Sequence, residues 1–180
     1  GHDVLIRALV ALGMQSWHCV CAGSLDRDRR FADQVITQAR EAGISRRVEF
    51  VGECDRSTLE QLYARASIFV LPSYYEGYGM VLAEALAYGL PIVSTTGGAI
   101  PETVPSGTGV LVAPGDHLAL ADVLGRLLDG ETGLALRRRY SKAAQEYGAR
   151  LPSWSAAVRT FEKSLFEFGL SNPSTCGDDE

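Results

Sequence analysis

The 180-residue chain holds 17 basic and 22 acidic residues, so its net charge is −5, and 46% of its residues are hydrophobic. This composition suits one globular domain with a sizeable core, and it argues against a nucleic-acid partner, because neutralising phosphates requires a basic surface. No apolar run is long enough to cross a bilayer, and the first residues lack the basic leader and small-residue cleavage site of a secretory signal.

Short apolar runs alternate with amphipathic stretches along the chain. Ser57 with Glu60 three residues later forms a capping-box pattern, and Asp116 can cap the helix that follows it. The predicted elements, in order, are helix 3–12, strand 18–23, helix 28–43, strand 47–52, helix 57–66, strand 67–73, helix 79–88, strands 91–96 and 109–114, and helices 117–129, 132–147 and 154–168.

This order predicts an α/β fold, a Rossmann-like three-layer sandwich with a mostly parallel sheet. Strands that alternate with helices pair in parallel through right-handed crossovers, and short continuous apolar strands are typical of sheets covered on both faces. We expect this domain to span residues 1–168, with the polar residues 169–180 as a disordered tail.

The chain opens on a helix, whereas a doubly wound unit normally starts with its central strand. One interpretation is a flavodoxin-like variant with five strands. The other, which we predict, is a fragment that lacks its first strand.

The cysteines and the arginine clusters have ordinary structural interpretations. Cys19 and Cys21 stand two apart in a predicted strand and would share a face, but His and Cys partners at metal-ligand spacing are missing. We interpret these two, with Cys54 and Cys176, as reduced, mostly buried thiols of a cytoplasmic protein. We interpret the arginines within 27–30 and 137–139 as residues on solvated faces of helices.

Two carboxylates stand out in PSYYEGYGMVLAEALAYG (72–89). Glu76 and Glu84 have seven residues between them, and no Lys or Arg from 66 to 124 can neutralise either. Gly77 and Gly79 would let the backbone approach a ligand, and the helix start suits a phosphate. The carboxylates would lie on the order of 10 Å apart, the span of a nucleotide-diphosphate sugar between its sugar hydroxyls and its ribose diol. Spacing alone favours simple solvated surface glutamates, but the strand–loop–helix context, the glycines and the missing basic partners favour a ligand site.

The segment PSYYEGYGMVLAEALAYGLPIVSTTGGAIPETV resembles the donor-site signature of retaining nucleotide-sugar glycosyltransferases of the GT-B architecture, the glycosyl transferases group 1. The shared pattern is Glu, seven residues and Glu within Glu-Gly-aromatic-Gly-aliphatic, followed by a Gly-x-Pro strand start. The similarity covers about residues 1–168 and includes GHDVLIRAL, RVEFVGECDRSTLEQLYARASIFVLPS, GTGVLVAPGDHLALADVL and LPSWSAAVRTFEKSLFEF.

The resemblance implies a role for each residue of the signature. Glu76 would bind donor-sugar hydroxyls near the reacting carbon and is the implied catalytic residue, while Glu84 would hold the ribose hydroxyls. TTGGAIPE (95–102) would contact the sugar or lie behind the site, with a structural role for Glu102. Ordinary loop and turn roles remain the alternative for Gly23 and Cys54. The implied nucleotide-binding set is Gly23, Cys54, Gly77, Tyr78, Gly79, Met80, Val81 and Glu84.

The resemblance also implies the reaction: transfer of a hexosyl group from a UDP- or GDP-sugar to an acceptor with retained anomeric configuration, with no cofactor and no bound metal. The acceptor would bind to an N-terminal domain absent from this chain, and peripheral membrane association would occur through that absent half. The first strand, which the family places between strands 18–23 and 67–73, is missing too, as are an Arg and a Lys just upstream of GHDVLIRAL.

We therefore expect the fragment alone to be inactive and poorly soluble. Two other functions are alternatives, a non-catalytic nucleotide-sugar-binding module and a sugar-nucleotide epimerase of the same architecture.

Overall fold

The computed structural model describes residues 1–13, 15–151 and 154–167, so the predicted tail and Cys176 lie outside the described residues. The chain divides into two compact units, Gly1–Ala149 and a second unit that begins at Arg150 and contains the last helix. The elements are α1 (His2–Ala11), β1 (Cys19–Ala22), α2 (Arg29–Glu41), β2 (Val48–Gly52), α3 (Arg56–Arg65), β3 (Phe69–Leu71), α4 (Met80–Ala87), β4 (Ile92–Thr95), α5 (Ile100–Thr103), β5 (Gly109–Val112), α6 (His117–Leu128), α7 (Gly130–Gly148) and α8 (Trp154–Glu167).

The strands form two parallel sheets. β1 pairs with β2, and β3, β4 and β5 pair in that order. Within the described residues β1 and β3 do not pair with each other, so the division falls where the sequence analysis placed the absent first strand. The predicted α/β class with parallel pairing is confirmed.

Helices cover both faces of the β3–β5 sheet, which makes three layers. Successive residues of a strand point to opposite faces. Val93 of β4 belongs to a core cluster with Ile6 of α1 and Leu120 of α6. Its neighbour Ile92 belongs to a second cluster with Leu86 of α4, together with side chains of α5 and α7. β4 is therefore buried at every position, as a central strand covered on both sides should be.

The start of α1 lies beside the end of β3. A Cβ added to Gly1 would stand 2.0 Å from the carbonyl oxygen of Pro72. Pro72 also ends β3 earlier than predicted, since proline has no N–H to donate to a ladder. The amino end of α1 is thereby placed at the carboxyl edge of the sheet, next to the loop that carries Glu76.

The predicted cap of α3 is wrong. Asp55, two residues before Ser57, is the N-cap, and its Oδ1 accepts a hydrogen bond from the Thr58 N–H at 2.7 Å. Ser57 lies inside the helix, and Glu60 accepts from Arg56 at 2.8 Å instead of reaching back to a cap. Both residue types can cap, but a carboxylate also interacts favourably with the helix dipole. The predicted cap of α6 is confirmed, because Asp116 accepts from the Ala119 N–H at 2.9 Å.

Alanine substitutions at Asp55 and at Ser57 should show which of the two residues caps α3. We expect Asp55→Ala to lower the urea midpoint of unfolding, because the Thr58 N–H loses its partner. Ser57→Ala, the matched control, should leave the midpoint almost unchanged, since alanine is favoured inside a helix. A larger loss for Ser57→Ala would contradict the assigned cap.

Candidate functional site

The candidate site lies at the carboxyl ends of β3 and β4, where open α/β sheets bind their ligands. The loop after β3 carries Glu76, and α4 carries Glu84 in its second turn. Gly79 is the N-cap of α4 with a left-handed backbone, φ 73° and ψ 47°, a conformation that costs little only for glycine. The predicted loop-to-helix setting of the two acids is confirmed.

Glu76 is half-buried and held by its neighbours. Its Oε1 accepts from the Ser73 hydroxyl at 2.8 Å. Its carbonyl oxygen accepts from the Ala99 N–H at 2.8 Å, and its backbone forms an isolated parallel bridge with Gly98. The turn after β4, which contains Gly97 and Gly98, is therefore in backbone contact with the loop 72–79 that carries Glu76, here called the acidic loop. This contact supports the acidic loop on the side of β4.

Two threonines also donate hydrogen bonds to backbone carbonyls of the acidic loop. The buried Thr95 donates its hydroxyl to the Ser73 carbonyl at 2.5 Å, and Thr103 donates to the Tyr78 carbonyl at 2.6 Å. Neither contact was predicted from the sequence, although for Thr95 the hydroxyl residues at the end of the apolar run PIVSTT were a usable signal. Glu102 is exposed on α5, and no side chain caps that short helix.

Glu84 is exposed, and its Oε2 accepts from the Tyr63 hydroxyl at 3.1 Å. The Tyr63 ring is buried and stacks on Tyr88, with 5.0 Å between centroids and 16° between planes. Burial, with a smaller effect of the Glu84 carboxylate, raises the pKa of the Tyr63 phenol, so it remains a donor at neutral pH. Tyr63 was not predicted from the sequence, because it lies 21 positions from Glu84, whereas helix neighbours lie only three or four positions away.

The surface around the acidic loop is apolar and open. Tyr78, Met80 and Val81 are 68%, 64% and 40% exposed, and Tyr74 is exposed too. A Cβ added to Gly77 would have no heavy atom within 4 Å, so space for a ligand remains beside its backbone. Clustered exposed apolar side chains of this kind mark binding surfaces.

Gly23 and Cys54 meet at the end of the other sheet. The Gly23 N–H and the Cys54 thiol both donate to the Gly52 carbonyl, at 2.8 Å and 3.7 Å. They therefore lie together at the carboxyl end of β1 and β2, whereas the two acids follow β3.

Cys19 and Cys21 share a face of β1, as predicted, with sulfur atoms 4.0 Å apart. The interaction with Cys21, and burial, raise the pKa of the Cys19 thiol. In the part of the chain that the structure describes, no three or more His, Cys, Asp or Glu side chains come together as metal ligands could. None of the helices in that part has the length and apolarity to span a membrane.

The parallel α/β fold belongs to the Rossmann-like class that GT-B glycosyltransferases use. Residues 1–147 match the sequence profile of the family described as Glycosyl transferases group 1, and the chain belongs to this family.

Relatives and solved structures agree with this assignment. D-inositol 3-phosphate glycosyltransferase of Corynebacterium diphtheriae is 30% identical over 183 residues, which cover 99% of this chain and 42% of that protein. Sucrose-phosphate synthase of Thermosynechococcus elongatus superposes with a TM-score of 0.82 at 30% identity, covering 95% of this chain and 43% of that one. The C-terminal domain of LpcC, a group 1 family glycosyl transferase of Francisella tularensis, has a TM-score of 0.72 at 26% identity and covers 81% and 76% of the two chains.

The chain thus spans about 42% of the length of the curated relative in this comparison.

Proposed function

We propose that this chain is the donor-binding half of a retaining glycosyltransferase, which transfers a hexosyl group from a nucleotide-diphosphate sugar to an acceptor. One observation carries the proposal: Glu76 and Glu84 flank the start of α4 at the carboxyl edge of the sheet, and each accepts a hydrogen bond from a neighbouring hydroxyl. The match to the C-terminal domain of LpcC supports the assignment to the donor half.

In this proposal the two carboxylates hold opposite ends of the donor. Glu84 accepts hydrogen bonds from the ribose diol, and Glu76 accepts them from sugar hydroxyls near the reacting carbon. The diphosphate lies over the start of α4, where unpaired N–H groups and the helix dipole favour negative charge. The same groups stabilise the charge that develops on the leaving nucleoside diphosphate. The other residues of the nucleotide set are Gly23, Cys54, Gly77, Tyr78, Gly79, Met80 and Val81.

The chain acts in this proposal as one part of a longer cytoplasmic enzyme that uses a UDP- or GDP-sugar and no metal. In this proposal a further strand of the longer protein pairs with both β1 and β3, which do not pair with each other within the described residues. An N-terminal domain supplies the acceptor site, and any peripheral membrane association. The chain alone is then inactive, because a site completed by domain closure lacks its other wall.

Turnover by the longer protein tests the proposal. We expect nucleoside diphosphate release that depends on acceptor, and NMR of the product should show the anomeric configuration of the donor. An inverted product would contradict retention. Donor binding without any turnover would favour the binding module, and conversion of the donor sugar to its epimer would favour the epimerase.

Tyr63 acts as a positioning residue in this proposal, because its hydroxyl orients the Glu84 carboxylate. We expect Tyr63→Phe to weaken nucleoside diphosphate binding about three- to tenfold, since the carboxylate loses one hydrogen bond while the aromatic stack is kept. Tyr88→Phe is the matched control, because it removes a hydroxyl from the other ring of the stack. Titration calorimetry measures both. Equal losses in the two variants would contradict the positioning role.

A further inference from the structure

A second candidate site lies at the opposite edge of the β3–β5 sheet from the acidic loop. A cavity of about 370 Å³ opens there, lined in part by Ser67 and Pro91, which come just before β3 and β4. Because these strands are parallel, both begin at this edge, whereas the Glu76 loop follows the end of β3. The cavity therefore opens away from the Glu76 loop, although it shares one residue with the candidate donor site: Tyr63 lines the cavity, and its hydroxyl donates to Glu84.

The cavity wall carries three cations from α7, Arg137, Arg138 and Lys142. Among the residues that the structure describes, no Asp or Glu lines this cavity, and none of the three cations is in an ion pair. Arg138 and Lys142 stand four residues apart, where like charges destabilise a helix. In a chain of net charge −5, such a concentration of unneutralised positive charge on one cavity wall favours an anionic ligand.

The remaining wall supplies neutral donors and an aromatic face. Ser67 and Ser141 bring hydroxyl groups to the cavity. Arg137 donates from Nη1 to the Leu127 carbonyl at the end of α6, which holds its guanidinium at the wall. Tyr88 lines the cavity and is 42% exposed, and its ring stacks on the buried ring of Tyr63. Hydroxyls and guanidinium groups bind phosphoryl oxygens, and an aromatic face accepts a sugar or a planar ring.

We propose that this cavity binds a small organic phosphate. The phosphoryl group lies between Arg138 and Lys142, and the organic part lies against Tyr88. The cavity volume is within the range of about 300–1,000 Å³ that is usual for small-molecule sites, and it exceeds what a bare phosphate ion needs. Guanidinium groups match phosphate geometry with paired N–H donors, and the ammonium group of lysine adds a mobile charge.

Calorimetric titration of the longer protein that contains this chain tests the proposal with inorganic phosphate, phenyl phosphate and ribose 5-phosphate. We expect saturable binding, tighter for the two esters than for inorganic phosphate. Phenyl phosphate is the decisive probe, because it has no hydroxyls for the two carboxylates of the donor site. Arg138→Ala should weaken its binding about tenfold or more, as expected for a lost charged hydrogen bond.

Arg139→Ala is the matched control. Arg139 is adjacent to Arg138, carries the same charge and is likewise exposed, but it lies over Tyr140 and does not line the cavity. We expect its effect to be less than about twofold, as usual for a screened surface charge. Tyr88→Ala should bring the affinity for phenyl phosphate towards that for inorganic phosphate. Circular dichroism of each variant confirms that it is folded.

Three outcomes would overturn the inference. They are the absence of saturable binding, equal losses in Arg138→Ala and Arg139→Ala, and loss of phenyl phosphate binding in Glu76→Gln, a donor-site variant whose side chain contacts no residue of the cavity. The last result would place the ligand at the donor site. The inference does not depend on the proposed function, since failure of nucleotide binding would leave the cavity on α7 unaffected.

Discussion

Glu84→Gln is expected to weaken binding of a nucleoside diphosphate and of its sugar ester alike, by about tenfold. Glutamine keeps the shape of the side chain and one acceptor oxygen, but it removes the charge that strengthens hydrogen bonds from a ribose diol. Glu76→Gln should weaken binding of the sugar ester by a similar factor and leave the nucleoside diphosphate unaffected, because only the ester carries the sugar hydroxyls. The two substitutions are isosteric, so each serves as the control for the other.

Comparison of a nucleotide with its 2′-deoxy form tests the contact between Glu84 and the ribose directly. The unsubstituted chain should bind the ribonucleotide more tightly than the deoxynucleotide, and Glu84→Gln should remove most of this difference. Titration calorimetry gives the four affinities. If Glu84→Gln left the preference for ribose intact, its assigned role would be wrong, whatever the overall affinity.

Gly98→Ala is expected to destabilise the first compact unit by at least about 2 kcal/mol. Gly98 has φ 62°, a left-handed conformation that costs alanine about 1–2 kcal/mol. Its new Cβ would stand 2.2 Å from the carbonyl oxygen of Glu76, so the bridge between the two loops must open. Nucleotide-sugar binding should be lost together with stability, since the acidic loop loses its support.

Gly77→Ala is the contrasting variant on the same loop. No heavy atom lies within 4 Å of the Cβ it would add, so stability should change by less than about 0.5 kcal/mol. Binding of the nucleotide sugar should nevertheless fall, because the methyl group would occupy the space that the proposed function assigns to the donor. Denaturant unfolding and calorimetry read the two effects separately. A stable Gly98→Ala variant with full affinity would show that the bridge does not support the site.

Local patterns were sufficient to predict the class of fold and the position of the acidic pair. The alternation of short apolar runs with helical stretches gives the parallel α/β class, because the two periodicities are properties of the backbone itself. Asp116 caps α6 as predicted, since a cap bonds to an N–H three residues away. The α3 cap shows the limit of such rules, as Asp55 and Ser57 both qualify and only the helix start decides between them.

Local sequence patterns were enough to place Glu76 before a helix and Glu84 within it, whereas the residues that contact these two acids come from distant segments that the fold brings together. Tyr63 reaches Glu84 across 21 positions, and Gly98 bridges to Glu76, because α3, α4 and the turn after β4 converge at one part of the sheet. The division into two sheets and the cationic cavity on α7 likewise depend on how the elements pack. Pattern rules act within about one helical turn or one strand, whereas these contacts join segments that only the crossover geometry brings together.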